Sequence, residues 1–147
     1  MNNYKVVKLK DLIKLIKGKK PKIIDTENKS GYLPYLTANY LQTNTPEFFV
    51  YPDENTIIVN EDDIILTLDG SAGDFFYGKK GVLCSTMAKL EVKENDIDKK
   101  FLFYLLKSKE YLIKNQIRGT TVPHVDKNVL ENILIYLPSL SEQQQIA

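Results

Sequence analysis

The chain has 147 residues, 43% hydrophobic and 27% charged, which is typical of one globular domain with its own core. No run approaches the roughly 18 apolar residues that cross a bilayer, and the N-terminus lacks a signal-peptide pattern, so we expect a cytoplasmic protein without a membrane contact. A single cysteine and a single histidine exclude an internal disulfide and leave too few ligands for a structural zinc site.

The net charge of +1 is distributed unevenly along the chain. Residues 1–24 contain eight lysines and one aspartate, residues 25–76 contain ten acidic residues and one lysine, and residues 77–147 carry a net charge of +3. This asymmetry predicts a positive face that binds phosphates while the rest of the surface is neutral or acidic. The alternative interpretation of the N-terminal lysines is a solvated helix face.

The N-terminal quarter predicts a short strand followed by a helix. Residues 4–9 alternate enough for a strand, and the apolar residues within 12–16 fall on one face of a helix that Gly18 would terminate. A basic loop follows over residues 17–22, because Pro21 cannot continue the helix.

Residues 32–92 are dominated by short β-type runs separated by turn residues. The predicted strands cover residues 33–36, 48–51, 56–59, 64–68 and 82–92, the last being one strand or a pair. Cys84 lies in an apolar run, where a free cysteine usually packs as a small hydrophobe. We therefore expect Cys84 to be buried rather than reactive.

The C-terminal third returns to helical periodicity. Residues 98–115 predict an amphipathic helix with Asp98 as its N-cap, and a shorter helix is predicted to begin at Asp126. A strand is expected over residues 132–137, and Ser141 with Gln144 predicts the capping box of a final helix. The whole pattern predicts an α+β fold with an irregular mixed or antiparallel sheet and a few helices.

The sequence offers little for catalysis. Asp62, Asp63 and Asp69 could form a nuclease-like carboxylate site, but Asp62 and Asp63 precede a strand, where acids commonly close turns. The turn from Gly70 to Gly73 lacks the lysine of a phosphate-binding loop, and no methyl-donor motif is present. We therefore predict a non-catalytic chain that binds no metal or cofactor.

Recognition of DNA fits the loops better, because base edges are contacted by side chains that donate and accept hydrogen bonds. The candidate base-contacting residues are Thr37, Asn39, Asp69, Ser71, Ser85, Thr86, Thr120, Thr121 and His124. The candidate phosphate-contacting residues are Lys17, Lys19, Lys20, Lys22, Lys79, Lys80 and Arg118. Simpler interpretations stay open, namely turn chemistry for Thr37 and Asn39, strand packing for Ser85 and Thr86, and a structural hydrogen bond for His124.

Two C-terminal segments carry a family resemblance. One is Gly-Thr-Thr-Val-Pro-His-Val at residues 119–125, and the other is Leu-Pro-Ser-Leu-Ser-Glu-Gln-Gln-Gln-Ile-Ala at residues 137–147. With segments 10–19, 30–40 and 62–73 in the same order, the chain resembles the DNA specificity subunit of type I restriction-modification systems.

This resemblance implies a target-recognition domain over residues 1–140 and the start of a truncated spacer helix over residues 141–147. Such a domain reads one half of a bipartite double-stranded DNA site. Its partners would be a methyltransferase (modification) subunit, which supplies S-adenosylmethionine, and a restriction/translocase subunit, which uses ATP and magnesium. Two alternatives are the recognition module of a fused restriction-modification enzyme and a protein-interaction domain that does not bind DNA.

Overall fold

The computed structural model describes residues 4–117 and 123–147 and confirms the predicted α+β class. In chain order the strands are β1 Lys5–Lys8, β2 Ile13–Lys17, β3 Ile24–Asp25, β4 Leu33–Leu36, β5 Phe49–Val50, β6 Ile58–Val59, β7 Ile64–Thr67, β8 Phe75–Tyr77, β9 Gly81–Leu83, β10 Met87–Val92 and β11 Leu134–Leu137. The helices are α1 Leu9–Leu12, α2 Ala38–Thr43, α3 Lys99–Ser108, α4 Glu110–Ile117, α5 Lys127–Glu131 and α6 Leu140–Ile146.

The strands form sheets that are mostly antiparallel. One sheet has the order β2-β10-β7-β8, a second has the order β3-β5-β4-β9-β6, and β1 pairs with β11 in a two-stranded ribbon. The pairing of β4 with β9 is parallel, with Tyr35 opposite Val82 and Leu36 opposite Leu83. The sheet is therefore mixed, as the sequence predicts.

Strand β7 joins the two hydrophobic cores of the domain. Its residues are all buried, and successive side chains of a strand point to opposite faces. Ile64 and Leu66 pack into the larger core with helices α3 and α4, whereas Ile65 packs into the smaller core with Leu36 and Met87. This buried strand leads directly into the loop that carries Asp69.

The predicted helix over residues 12–16 is wrong. Residues 13–17 form strand β2, which pairs antiparallel with β10 from Ile13 opposite Val92 to Lys17 opposite Ala88. The β-branched residues Ile13 and Ile16 suit a strand, and the long-range pairing decides between the two periodicities. Gly18 is consequently not a helix cap.

Other differences are smaller. The sequence missed α2, β3 and β8, and the predicted helix over residues 98–115 is two helices that meet at Lys109. The second helix begins at Glu110, whose carboxylate accepts a hydrogen bond from the backbone N–H of Phe75 at 3.0 Å. Lys107 Nζ donates to the carbonyl of Phe75 at 3.1 Å. The Glu110 and Lys107 side chains therefore satisfy backbone hydrogen-bonding groups at the edge of β8.

The predicted caps Asp98 and Asp126 are confirmed, since their side chains accept hydrogen bonds from Phe101 N and from Asn128 N, at 2.8 and 2.9 Å. The predicted cap at Ser141 is wrong. Ser139 caps α6 instead, because its Oγ accepts a hydrogen bond from Glu142 N at 3.3 Å and donates one to the Glu142 carboxylate.

Helix α6 is attached to the domain through one buried amide. Gln143 is 1% exposed, and its Oε1 accepts a hydrogen bond from Asp98 N at 2.8 Å. Its Nε2 donates to the carbonyls of Asp96 and Pro138, at 3.1 and 3.0 Å. Because a buried amide is stable only when it is fully hydrogen-bonded, this arrangement defines how α6 lies against the start of α3.

Candidate DNA interface

Three of the loops with predicted base-contacting residues meet at one end of the β2-β10-β7-β8 sheet. The backbone N–H groups of Leu68 and Asp69 both donate to the carbonyl of Thr86, at 2.8 and 3.3 Å. Asp69 also forms an antiparallel bridge with His124, and Val125 N donates to the carbonyl of Leu68 at 2.8 Å. The side chains of Asp69, Thr86 and His124 are exposed there, so three predicted base-contacting residues share a surface.

The basic loop is attached to the same end. Gly18 N donates to the carbonyl of Met87 at 2.9 Å. A Cβ at residue 18 would lie 2.1 Å from the carbonyl oxygen of Cys84, so only glycine allows this approach. The predicted phosphate-contacting residues Lys17 and Lys19 flank this glycine and therefore lie beside the turn of Thr86.

The lysines of this loop differ from many others in having no acidic partner. Within residues 4–117 and 123–147 the ion pairs of lysine involve Lys29, Lys89, Lys99, Lys107, Lys114 and Lys127. Lys17, Lys19, Lys20 and Lys22 are all exposed and form none of these pairs. Their charge is thus available to an anionic ligand.

Thr37 and Ser85 adjoin the surface because β4 and β9 run parallel and end together. The Thr37 hydroxyl caps α2, since it accepts a hydrogen bond from Tyr40 N at 3.1 Å, in line with the simpler interpretation of this residue. Burial raises the pKa of the neighbouring Tyr35, and a hydrogen bond to the Cys84 side chain acts in the same direction. Ser85 is half-buried.

Cys84 is half-buried, whereas the sequence predicts a buried residue. Its Sγ lies 3.3 Å from the hydroxyl of Thr86, so it helps to hold the turn that carries the exposed threonine.

Two predicted contact residues bind other side chains, and a third lies at the opposite end of β9 from this surface. Asn39 donates to the carboxylate of Glu47, and Lys79 donates to the side chain of Asn44 at the far end of α2. Lys80 precedes β9 while Cys84 follows it, which separates them by about 13 Å at the usual rise of a strand. Contact of Asn39, Lys79 and Lys80 with DNA stays a prediction.

Ser71 lies in an exposed turn that is hydrogen-bonded to the buried Thr67 side chain. The Thr67 hydroxyl, 2% exposed, donates to the carbonyl of Ser71 at 2.7 Å and accepts from Asp74 N at 2.9 Å. On the other side Lys114 pairs with Asp74 at 2.5 Å, and this hydrogen bond raises the pKa of Lys114. The turn is therefore connected to both β7 and α4.

We expect Thr67→Val to lower the free energy of unfolding by about 1–3 kcal/mol, because a carbonyl and an N–H would lose their buried partner. Urea denaturation measures this change, and Thr26→Val, at an exposed threonine, is the matched control. Equal stability of the Thr67 variant and the parent would contradict the assigned role of the hydroxyl.

A cleft of about 350 Å³ opens beside Asp69 and His124. It is lined by Leu15, Lys17, Leu68, Asp69, Ala88, His124, Val125, Lys127 and Leu130. Lys127 is not among the contact residues predicted from the sequence. The sequence does contain a signal for it, because Asp126 predicts the start of α5 and so places Lys127 in the exposed first turn of that helix.

The remaining predicted contacts Arg118, Thr120 and Thr121 lie outside the described residues. The residue that follows that segment, Pro123, accepts a hydrogen bond through its carbonyl from Gly70 N at 3.2 Å. Across the described ranges, no three His, Cys, Asp or Glu side chains are grouped so that they could hold a metal ion. No helix in the same ranges is long and apolar enough to cross a membrane.

Exposed polar side chains on several loops lie beside lysines that have no acidic partner among the described residues. This combination is expected where a protein contacts both phosphates and base edges. The chain belongs to the family described as the Type I restriction modification DNA specificity domain, which it matches over residues 1–147. This membership confirms the resemblance drawn from the sequence.

Individual relatives agree with this assignment. The chain is 52% identical over 146 residues to the type I restriction enzyme MjaVIII specificity subunit of Methanocaldococcus jannaschii, covering 99% of this chain and 34% of the relative. It is 28% identical over 113 residues to the EcoBI specificity subunit of Escherichia coli, covering 76% of this chain and 22% of the relative. Both relatives are named as specificity subunits. The chain spans about a third of the MjaVIII relative.

Solved structures confirm the fold. The HsdS subunit of Thermoanaerobacter tengcongensis superposes with a TM-score of 0.70 at 19% identity, over 97% of this chain and 35% of that chain. The type I restriction-modification S subunit of M. genitalium superposes with a TM-score of 0.74 at 21% identity, over 99% of this chain and 37% of that chain.

Proposed function

We propose that this domain binds double-stranded DNA sequence-specifically and reads one half of a bipartite site. The observation that carries the proposal is the meeting of Asp69, Thr86 and His124 with the unpaired lysines of the 17–22 loop at one end of the sheet. Loop side chains would contact base edges, and the lysines would contact phosphates, which position a protein on DNA without reading its sequence.

As part of a specificity subunit, the domain would direct adenine methylation and cleavage that other subunits perform. The proposed partners are a methyltransferase subunit, which binds S-adenosylmethionine, and a restriction/translocase subunit, which binds ATP and magnesium. This chain would bind none of these cofactors. Residues 1–140 would form the recognition domain, and residues 141–147, which contain most of helix α6, would begin the spacer. A cytoplasmic location belongs to the same proposal, since DNA is the ligand.

The relatives favour a separate specificity subunit over a fused restriction-modification enzyme, because each is named as a subunit. The protein-interaction alternative is decided by the DNA-binding experiment.

Selection of binding sites from a random duplex library at low salt tests the proposed function. We expect enrichment of a short, non-palindromic motif, because a single domain has no symmetry to impose on its site. Asp69→Ala is expected to change the preferred base at one position, with little effect on the others. Circular dichroism spectra of both proteins provide the folding control.

Retention of DNA without enrichment would limit the domain to non-specific binding. No retention at all would contradict DNA binding and support the protein-interaction alternative. An unchanged motif with Asp69→Ala would remove Asp69 from the base-contacting set.

A further inference from the structure

A second cleft continues the first one along strand β2. It has a volume of about 360 Å³ and is lined by Lys10, Ile13, Lys14, Leu15, Lys93, Lys127, Leu130 and Glu131. Leu15, Lys127 and Leu130 line both clefts, so the two are continuous. We call the combined surface the β2 trough. It begins at Asp69 and His124 and runs between the edge of the sheet and α5.

The β2 trough is strongly basic. Five lysines line it, namely Lys10, Lys14, Lys17, Lys93 and Lys127. Lys93 is held in place, because its Nζ donates to the carbonyl of Lys10 at 3.2 Å. The acidic residues of the lining are Asp69, at the base-contacting end, and Glu131, which pairs with Lys127 at 3.6 Å. That pair is exposed on its lysine side, so it is weak and exchangeable.

The floor of the trough is unsuited to reading bases. Ile13, Leu15 and Leu130 supply apolar surface without donors or acceptors. Lysines along the rim and an apolar floor favour a ligand that is recognised by charge, without sequence information. The DNA backbone is such a ligand, and a duplex bound at Asp69 and His124 continues beyond the half-site.

We propose that the β2 trough is a second phosphate-binding surface, which holds the sugar–phosphate backbone on one flank of the half-site. Lys10, Lys14 and Lys93 line the second cleft, whereas Asp69 and His124 line the first, so these lysines lie farther along the trough from the base-contacting end. The contacts therefore extend beyond the bases that the loops read. This inference rests on the proposed function and adds Lys10, Lys14, Lys93 and Lys127 to it.

The test compares duplexes that differ only in flank length. Fluorescence anisotropy would measure binding of the selected half-site with two or eight flanking base pairs, varied separately on each side. We expect the parent protein to prefer the longer flank on one side only. The double variant Lys10→Gln with Lys14→Gln should lose that preference, with an affinity loss of about tenfold and a salt slope lower by about two.

The matched control is Lys100→Gln with Lys109→Gln. These lysines belong to the α3 region, which contacts β8 at the opposite edge of the sheet from β2. The control variant carries the same charge change and should keep the flank preference. Circular dichroism and urea denaturation would show that both double variants are folded.

A variant that is expected to increase the affinity for DNA makes the test independent of any loss of stability. Glu131→Gln removes the partner of Lys127, so it should raise affinity for the flanked duplex about twofold to threefold and leave the short duplex unchanged. A parent protein that binds both flank lengths equally would overturn the inference, and so would equal losses on short and long duplexes. Failure of the parent to bind any duplex would instead contradict the proposed function.

Discussion

Replacing Lys17, Lys19 and Lys20 together by glutamine is expected to weaken binding to every DNA sequence by about 100-fold at 0.1 M salt. The three side chains are exposed and lack acidic partners among the described residues, and Lys17 and Lys19 flank the glycine that packs against the loop of Thr86. Each phosphate contact that is lost should lower the salt slope by about one, so we expect a decrease of about three. The base preference should stay the same, because phosphate contacts carry no sequence information.

Anisotropy titrations at several salt concentrations measure this effect on the selected half-site and on a scrambled duplex. The matched control replaces Lys5, Lys100 and Lys109 by glutamine, which removes the same charge elsewhere on the surface. A loss confined to one sequence would contradict phosphate contact by the loop. A loss of the same size in the control would show that only the overall charge matters.

The second large effect is expected from Gly18→Ala. The added Cβ would lie 2.1 Å from the carbonyl oxygen of Cys84 and 2.7 Å from that of Leu83. These are backbone atoms that cannot rotate away, so the loop and the β9–β10 turn must separate. We expect the free energy of unfolding to fall by about 3 kcal/mol, at the upper end of the usual cost of overpacking.

The same substitution should weaken DNA binding at temperatures where the variant is folded, because it moves Lys17 and Lys19 away from Thr86. Urea denaturation and anisotropy measure the two consequences separately. Gly70→Ala is the matched glycine control. Its φ of 73° is unfavourable for alanine, but no atom lies within 4 Å of the added Cβ. We expect it to cost about 1–2 kcal/mol. A Gly18 variant as stable as the parent would contradict the close packing.

Both variants concern the junction between the basic loop and the 84–86 turn. In the proposed function, charge at this junction would determine how strongly DNA is held, and the glycine determines where that charge is placed. The predicted base-contacting residues depend on the same junction, since the Thr86 carbonyl accepts hydrogen bonds from the backbone N–H groups of Leu68 and Asp69. The 17–22 loop and the three polar loops are thus one structural unit.

Local residue patterns were sufficient for much of this protein. The strand runs, the caps Asp98 and Asp126, the turn glycines and the excess of lysine in residues 1–24 depend on neighbours in sequence, and the structure confirms the two caps and most of the strands. The motif segments were specific enough to indicate the family.

Long-range pairing decided the rest. Residues 13–17 carry apolar side chains compatible with a helix or a strand, and only hydrogen bonding to β10 selects the strand. Helices α3 and α4 meet at Lys109, between the Lys107 and Glu110 side chains that bind the edge of β8, and no helical periodicity indicates that contact.

The interface depended on the same long-range contacts. Residue type alone makes Asp69, Thr86 and His124 three separate candidates, but their proximity follows from the hydrogen bonds that join their loops. Gly18 was assigned to the end of a helix, whereas its lack of a Cβ is what lets the basic loop reach Cys84. Residue chemistry indicated what kind of ligand the domain binds, and the packing of distant segments determined which lysines and loops can contact it together.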